Sequence, residues 1–582
     1  MRYVVLVLVL LLASTSAATA TPSGAVHVEG GKFRDAYGRE VTLRGFNVSG
    51  TAKLAENRGL PFATKAEAAT SARAMKDLTG ANAVRFLVTW AWVEPEPGRI
   101  DHAYLDRVTE QISAFTDEDI HVYLDFHQDL YSRHLFNPDS WYTGDGAPAW
   151  VVQAGGYPEE SCGACVHWGQ NMKNNRAVTD ATYDFWHNRE VPTANGPVKI
   201  RDAFVRQAGE TLKHLKRNLS TSAFQKILGL DPINEPYAGR YDTGQDGTTW
   251  ERDLLWPFYQ QVRQEMDNAG WADKAAFVEP LVFWNQNVSF FAEPGGLTKV
   301  PNLGNRYVFN AHFYDGLAQS GVLKPGKAGD GEYSADFTRI ADRATGLGTT
   351  SIVSEFGHPI AGYTSDKTPS VLKAIYQSLD SRLSGANWWA QAARSGPVLS
   401  GSQWHWDVNY GRHHELMNDN PAKVKTEGDA MNDEHFSAVK LDGTTPQLTV
   451  DPRVADRLYP RAVAGDTIAF TSEDLTRDGT QVLSWNKIPA TMPATKALVG
   501  SGQYGVLVWR GNGGSAPTEL HLPAGFTTTT VVSDVSSSTT GRTLELSTTD
   551  IGTHFALIAN SPLQPDPKVA DELRRWVQQT NP

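Results

Sequence analysis

"ILGLDPINEP", Ile227 to Pro236, runs almost wholly apolar until Asn234, Glu235 and Pro236 close it. A short, nearly continuous apolar run suits a strand covered on both faces, as in a parallel sheet. The carboxylate of Glu235 then arrives where that strand stops. Seven other runs share this texture: "VTLRGFNV" from Val41, "AVRFLVTW" from Ala83, "HVYLDFHQD" from His121, "AFVEPLVFW" from Ala276, "YVFNAHFY" from Tyr307, "SIVSEFGHP" from Ser351 and "GSQWHWDVN" from Gly401. Stretches of helical period such as "TKAEAATSARAMKDLTG" and "AYLDRVTEQISAFTDE" lie between them. Eight strand-then-helix units between Val41 and about Asn409 predict an α/β fold, a (β/α)8 TIM barrel. The alternative is an open doubly wound sheet, but no Gly-rich phosphate loop follows the first strand.

Past Leu441 the helical period disappears. "DTIAFTSED", "QVLSWN", "YGVLVWRGN", "TELHLP", "TTTVVSDVSSSTTGRTLELSTTD" and "GTHFALIANSP" are short strands bounded by Gly, Ser, Asn and Pro, the pattern of an antiparallel β-sandwich. The expected organisation is a signal peptide over 1–20, a catalytic barrel over 21–445, a C-terminal sandwich over 446–562 and a tail or helix over 563–582. The first segment carries one Arg, an apolar run from Val4 to Ala13 and small residues up to Ala20. That pattern predicts cleavage near Ala20 and a secreted, extracellular protein, with an uncleaved anchor as the competing reading.

A formal charge of −12, spread without blocks, argues against nucleic acid and against a polybasic membrane patch. The two cysteines, Cys162 and Cys165, lie in "ESCGACVHW". In an exported chain this spacing favours a small structural disulfide over thiol exchange, and no second pair exists to complete a zinc site. The 17 Trp and 19 Tyr are many, and pyranose rings stack on such side chains. A large core would use them equally well.

Parallel barrels build their sites at the carboxyl ends of the strands. The strands deliver Arg85, then His127 and Asp129, Asn234 and Glu235, His312 and Tyr314, Glu355, and finally Trp404 and His405. Each alone has a structural explanation, such as a buried ion pair or a hydrogen-bonded core histidine. Glu235 and Glu355 both follow apolar runs and precede a chain-turning residue. Two carboxylates buried close together shift each other's pKa, so that one stays protonated. One protonated acid and one carboxylate across a glycosidic bond are the equipment of a glycosidase.

The set "RF", "DFHQD", "INEP", "HFY", the Glu of "VSEFG" and "QWHWD", in this order along some 400 residues, resembles family 5 of the glycoside hydrolases, a retaining (β/α)8 family. "LRGFNVSGTAK", "DFHQDLYSRHLF", "GDGAPAWV", "AVTDATYDFWHNR" and "LYPRAVAG" resemble its endoglycoceramidase branch, which also holds enzymes acting on steryl glucosides and galactosyl ceramides. The resemblance implies Glu235 as acid/base and Glu355 as nucleophile. It implies Asn234 at the sugar 2-hydroxyl, Arg85 and Tyr314 on the nucleophile, and His127 and His312 on sugar hydroxyls and on the acid/base. Trp404 would floor the cleaved sugar, and Lys53 and Asp129 would read its other hydroxyls. The implied activity is hydrolysis between oligosaccharide and ceramide by a monomer, without metal or cofactor. The alternatives are a β-glucosidase for steryl or other hydrophobic glucosides and an endo-β-glucanase. The expected partner is a β-glycoside or glycolipid, with transient contact to a membrane or micelle surface.

The insertion from about Tyr131 to Val198 carries Trp141, Tyr142, Trp150, Trp168, Tyr183 and Trp186. These line the substrate path or form the core of the insertion, and Trp168 is singled out as a sugar contact. "GRHHELMND", with His413, His414 and Glu415, is placed at the substrate rim rather than around a metal. Sequons stand at Asn47, Asn218 and Asn287.

Overall fold

A computed structural model describes residues 25–137, 142–158, 162, 165, 168–383, 388–413, 435–473 and 487–580. The signal-peptide expectation, Trp141, His414, Glu415 and the strand expected in "QVLSWN" lie outside these residues. The eight apolar runs become the eight strands of a closed parallel barrel: β1 (Arg44–Val48), β2 (Ala83–Val88), β3 (His121–Phe126), β4 (Ile227–Asp231), β5 (Ala275–Val278), β6 (Tyr307–Tyr314), β7 (Ser351–Gly357) and β8 (Ser400–Gln403). Gln403 of β8 pairs with Phe46 of β1 and closes the ring. Every residue of β2, β4 and β7 is buried, as runs covered on both faces require.

The two quoted helical stretches form Lys65–Thr79 and His102–Asp117. Thr64 and Asp101 cap them by accepting backbone N–H groups of Glu67 and Tyr104, and Gly80 ends the first in a left-handed conformation. Their apolar faces, including Met75, Val108 and Ile112, are buried against the barrel.

Among the described residues, the chain from Tyr459 onward forms two antiparallel sheets. One runs through Gly465–Glu473, Tyr504–Gly511, Thr553–Asn560 and Thr529–Ser533. The other has seven strands, and three of them come from the other end of the chain: His27–Glu29, Lys32–Arg34 and Glu40–Val41. Val41 pairs with Ala462 and Glu40 with Val463. Val28 and Phe33 of this hairpin also pack on Tyr123, Phe277 and Val308, so the same segment plugs the lower mouth of the barrel. Trp509 is fully buried between the sheets. The closing segment is a helix, Pro567–Thr580, that buries Val569, Leu573, Trp576 and Val577.

Candidate active site

The residues singled out for catalysis or substrate binding lie toward the carboxyl ends of the strands or in the loops after them, except Arg85, which stands inside β2. Glu235 follows β4 by four residues with φ 42°, a left-handed conformation unusual for a side chain this large. Its N–H donates to Glu279 Oε2 at 3.0 Å, and this bond fixes the turn. Glu355 stands within β7. Ala311 pairs with Val353 but His312 pairs with Glu355, so Ser354 is a bulge that brings the carboxylate opposite His312.

Three side chains hold the two glutamates. Arg85, fully buried, donates Nη1 to Glu355 Oε1 at 2.6 Å, and the Tyr314 hydroxyl donates to Oε2 at 2.9 Å. The Nδ1 of His312 lies 3.1 Å from Glu235 Oε1 and 3.6 Å from Glu355 Oε2. One oxygen of each glutamate and a ring nitrogen of His312 lie within 4.8 Å of one another. Asn234 accepts from Arg85 Nη2 at 2.9 Å and donates to the Gln128 carbonyl at 3.0 Å.

Below them is a layer of charge that sequence reasoning missed. Arg85 also meets Asp125, Asp231 and Glu279, at 3.0, 2.7 and 3.1 Å, and donates to Asn47 Oδ1 at 3.2 Å. Asn47, noted only as a sequon, is fully buried. Burial raises the Asp231 carboxyl above its usual range and the charge of Glu279 adds to this, against the opposing charge of Arg85. Burial would also raise Glu279, but His312 and Arg85 overcome it and hold Glu279 low. Burial opposes charge on His312, yet Glu279, Glu355 and Glu235 raise its pKa well above the ordinary histidine value. Burial, with the charges of Glu355 and Asp129 adding to it against the opposing bond from His312, raises Glu235 above an ordinary glutamic acid. Glu235 is therefore suited to hold a proton, while Glu355 is held by a guanidinium and a phenol.

The floor is aromatic. Trp404 stacks on His127 with ring centroids 5.4 Å apart, and Lys53 Nζ sits 4.3 Å over the Trp404 ring. Lys53 also reaches Asp129 at 2.6 Å. Both His127 nitrogens face carboxylates, Asp125 at 2.7 Å and Asp129 at 3.1 Å. Burial works against its charge, and these two carboxylates outweigh it and push His127 up to about 10. Burial and the neighbouring Asp129 push Asp145 up to about 7.

Rising pH therefore costs stability twice. Asp145 loses its contribution between about 3.9, its unfolded value, and about 7. His127 contributes fully below about 6.5 and loses its share as pH rises through about 10. Thermal melts should show a lower Tm at pH 10 than at pH 6, with a smaller decline in His127→Gln.

Lys53, His127, Asp129, Trp168, Glu235, Tyr314, Glu355 and Trp404 line one cavity of about 540 Å³. Its far side is apolar, built from Val282, Phe283, Val288, Phe290 and Phe291 after β5, Val322 and Leu323 after β6, and Tyr363 after β7. Of the insertion's described aromatics, Trp168 alone reaches this cavity. Tyr142 and Trp186 are core, and Trp150 packs on it while donating to the Glu94 carbonyl. Cys162 and Cys165 form a disulfide. His413 is held by Asp407 at 2.7 Å, and His405 by Ser49 at 2.6 Å.

A parallel barrel that directs two neighbouring glutamates into a sugar-sized, aromatic-floored pocket defines the class: this is a glycoside hydrolase. The model of the Cellulase family, glycosyl hydrolase family 5, matches residues 34–393, and the chain belongs to that family. Endoglycoceramidase I of Rhodococcus hoagii (strain 103S) is 27% identical over 405 residues, 64% of this chain and 68% of that protein. A glucosylceramidase of Aspergillus fumigatus is 33% identical over 152 residues, 23% of this chain and only 19% of that protein. Endo-glycoceramidase II from Rhodococcus sp., solved as a ganglioside GM3 complex, shares the fold with a TM-score of 0.62 at 23% identity, over 92% of this chain and all of that one.

Proposed function

We propose that the protein hydrolyses, with retention of configuration, the β-glycosidic bond between the sugar head group and the ceramide of glycosphingolipids. The observation that carries this reading is the two-sided cavity, polar at Lys53, Asp129 and the glutamates and apolar along the loops opposite. Among the described residues, four of the seven large apolar side chains left exposed line it: Phe290, Val322, Leu323 and Tyr363. A rim of this kind suits a hydrocarbon tail and the lipid surface that presents it.

In this mechanism Glu355 attacks the anomeric carbon while Glu235 gives its proton to the departing lipid oxygen. Glu235, now a carboxylate, then takes a proton from the water that releases the sugar from Glu355. Carboxylate oxygens within 4.8 Å of each other support this route, since retaining pairs stand about 5–5.5 Å apart and inverting pairs about 6.5–9.5 Å. Arg85 and Tyr314 hold and aim Glu355 through its two oxygens. Asn234 spends one amide hydrogen on the Gln128 carbonyl and has a second to offer the sugar 2-hydroxyl.

The test is a panel of ganglioside, lactosylceramide, glucosylceramide, steryl glucoside and β-glucan, offered in micelles and in vesicles, with every product identified. Release of an intact oligosaccharide together with ceramide is the expected result. Cleavage confined to steryl glucoside or β-glucan would overturn the ceramide assignment and leave the glycosidase chemistry in place.

A further inference from the structure

The apolar wall of the cavity hangs on one buried carboxylate outside the catalytic cluster. Glu251 lies on the helical segment after β4 and is fully buried. Its Oε1 accepts the N–H of Leu281 at 2.8 Å and that of Gly296 at 2.8 Å, and its Oε2 accepts the N–H of Leu297 at 2.7 Å. Leu281 opens the loop that follows β5, and Gly296 and Leu297 close it. One side chain thus ties both ends of the segment that carries Val282, Phe283, Val288, Phe290 and Phe291 into the cavity.

The loop is shaped to receive that anion. Gly296 and Leu297 have φ of 81° and 57°, so two successive N–H groups converge on the carboxylate. A side chain at Gly295 would place its Cβ 2.9 Å from Glu251 Oε1. Arg343 takes the remaining polarity of the turn, donating to the carbonyls of Gly295 and Gly296 at 2.9 and 2.6 Å. Tyr241 and Lys173 hold Glu293 from outside, and Lys173 Nζ lies 4.2 Å over the Phe283 ring.

We propose that Glu251 is a positioning residue for aglycone recognition: by clamping both ends of the loop after β5 it sets the apolar wall against which the hydrocarbon part of the substrate packs. This rests on the reading of the cavity as a site for a glycoside with an apolar aglycone. It predicts a defect that grows with the length of the aglycone and leaves the bond-breaking groups untouched.

The experiment measures kcat and KM for ethyl, octyl and dodecyl β-glucosides and β-lactosides, with wild type, Glu251→Gln and Gly295→Ala. In the wild type kcat/KM should rise with chain length. Glu251→Gln replaces one acceptor oxygen by an NH₂ group facing N–H donors, and should reduce the dodecyl-to-ethyl ratio by about tenfold, chiefly through KM, with ethyl glycosides within about threefold of wild type. Gly295→Ala crowds the same clamp from the loop side and should act in the same direction, which keeps the test decisive if Glu251→Gln does not fold. Equal losses at every chain length in the variants, or no chain-length dependence in the wild type, would overturn the proposal. A normal chain-length response without ceramide cleavage would instead fail the ceramide assignment alone.

Discussion

Glu355→Ser is expected to lower turnover of any β-glycoside by about 10⁴-fold or more, the scale on which loss of a covalent nucleophile acts. The carboxylate it removes is the one that Arg85 and Tyr314 hold at 2.6 and 2.9 Å. Wild-type enzyme treated with a 2-fluoro glycoside bearing a good leaving group should accumulate a covalent adduct, and peptide mapping should find it on Glu355. An adduct elsewhere, or near-normal turnover by the Glu355→Ser variant, would remove Glu355 from the role. The variant also loses the main anion facing Arg85 from the cavity side, so its melting temperature belongs beside its kinetics.

Glu235→Gln should separate the two half-reactions. With an alkyl or lipid leaving group, cleavage should fall by about 10²–10⁴, because the departing oxygen receives no proton. A dinitrophenyl glycoside needs no such proton, so its first step should survive and the glycosyl-enzyme should accumulate. Azide, which attacks without a general base, should then restore turnover and yield a β-glycosyl azide. The pH profile follows from the raised pKa of Glu235. Its acid form is required, so kcat/KM should fall as pH rises through that pKa, and this alkaline limb should vanish for the dinitrophenyl glycoside in the variant. An unchanged limb would assign it to another group.

The barrel was legible because each strand is a compact apolar run, and strands buried on both faces leave that mark irrespective of what surrounds them. The two glutamates were legible because each interrupts such a run at its end. Glu279 carries the same mark, in "AFVEP", yet sequence reasoning missed it beside Glu235 in "INEP". What separates them is the partner: Glu279 turns beneath the site to Arg85 and His312, and no local pattern encodes that. Asp125 and Asp231 sit inside strand runs, where a carboxylate looks like an interruption until the guanidinium that neutralises it is in place. The apolar wall was hidden for a different reason. It is assembled from three loops without periodicity, and Glu251, which ties one of them, lies 30 and 45 positions from the N–H groups of Leu281 and Gly296. The insertion's tryptophans could be read either as core or as substrate contacts, and the fold divides them, Trp168 to the cavity and Trp186 to the core.

The hairpin under the barrel bears on how the chain is made. During synthesis, residues 27–41 leave the ribosome ahead of every barrel strand, yet Glu40 and Val41 find their neighbours on the other side of the sheet only when Val463 and Ala462 have been translated. The lower mouth of the barrel therefore acquires its finished seal after every barrel strand has been produced. Contacts this distant in sequence make assembly slow. They also bind the two ends of the polypeptide into one unit: cutting the gene after β8 to obtain a smaller enzyme would leave that first hairpin without its neighbour and the barrel resting on an unpaired edge.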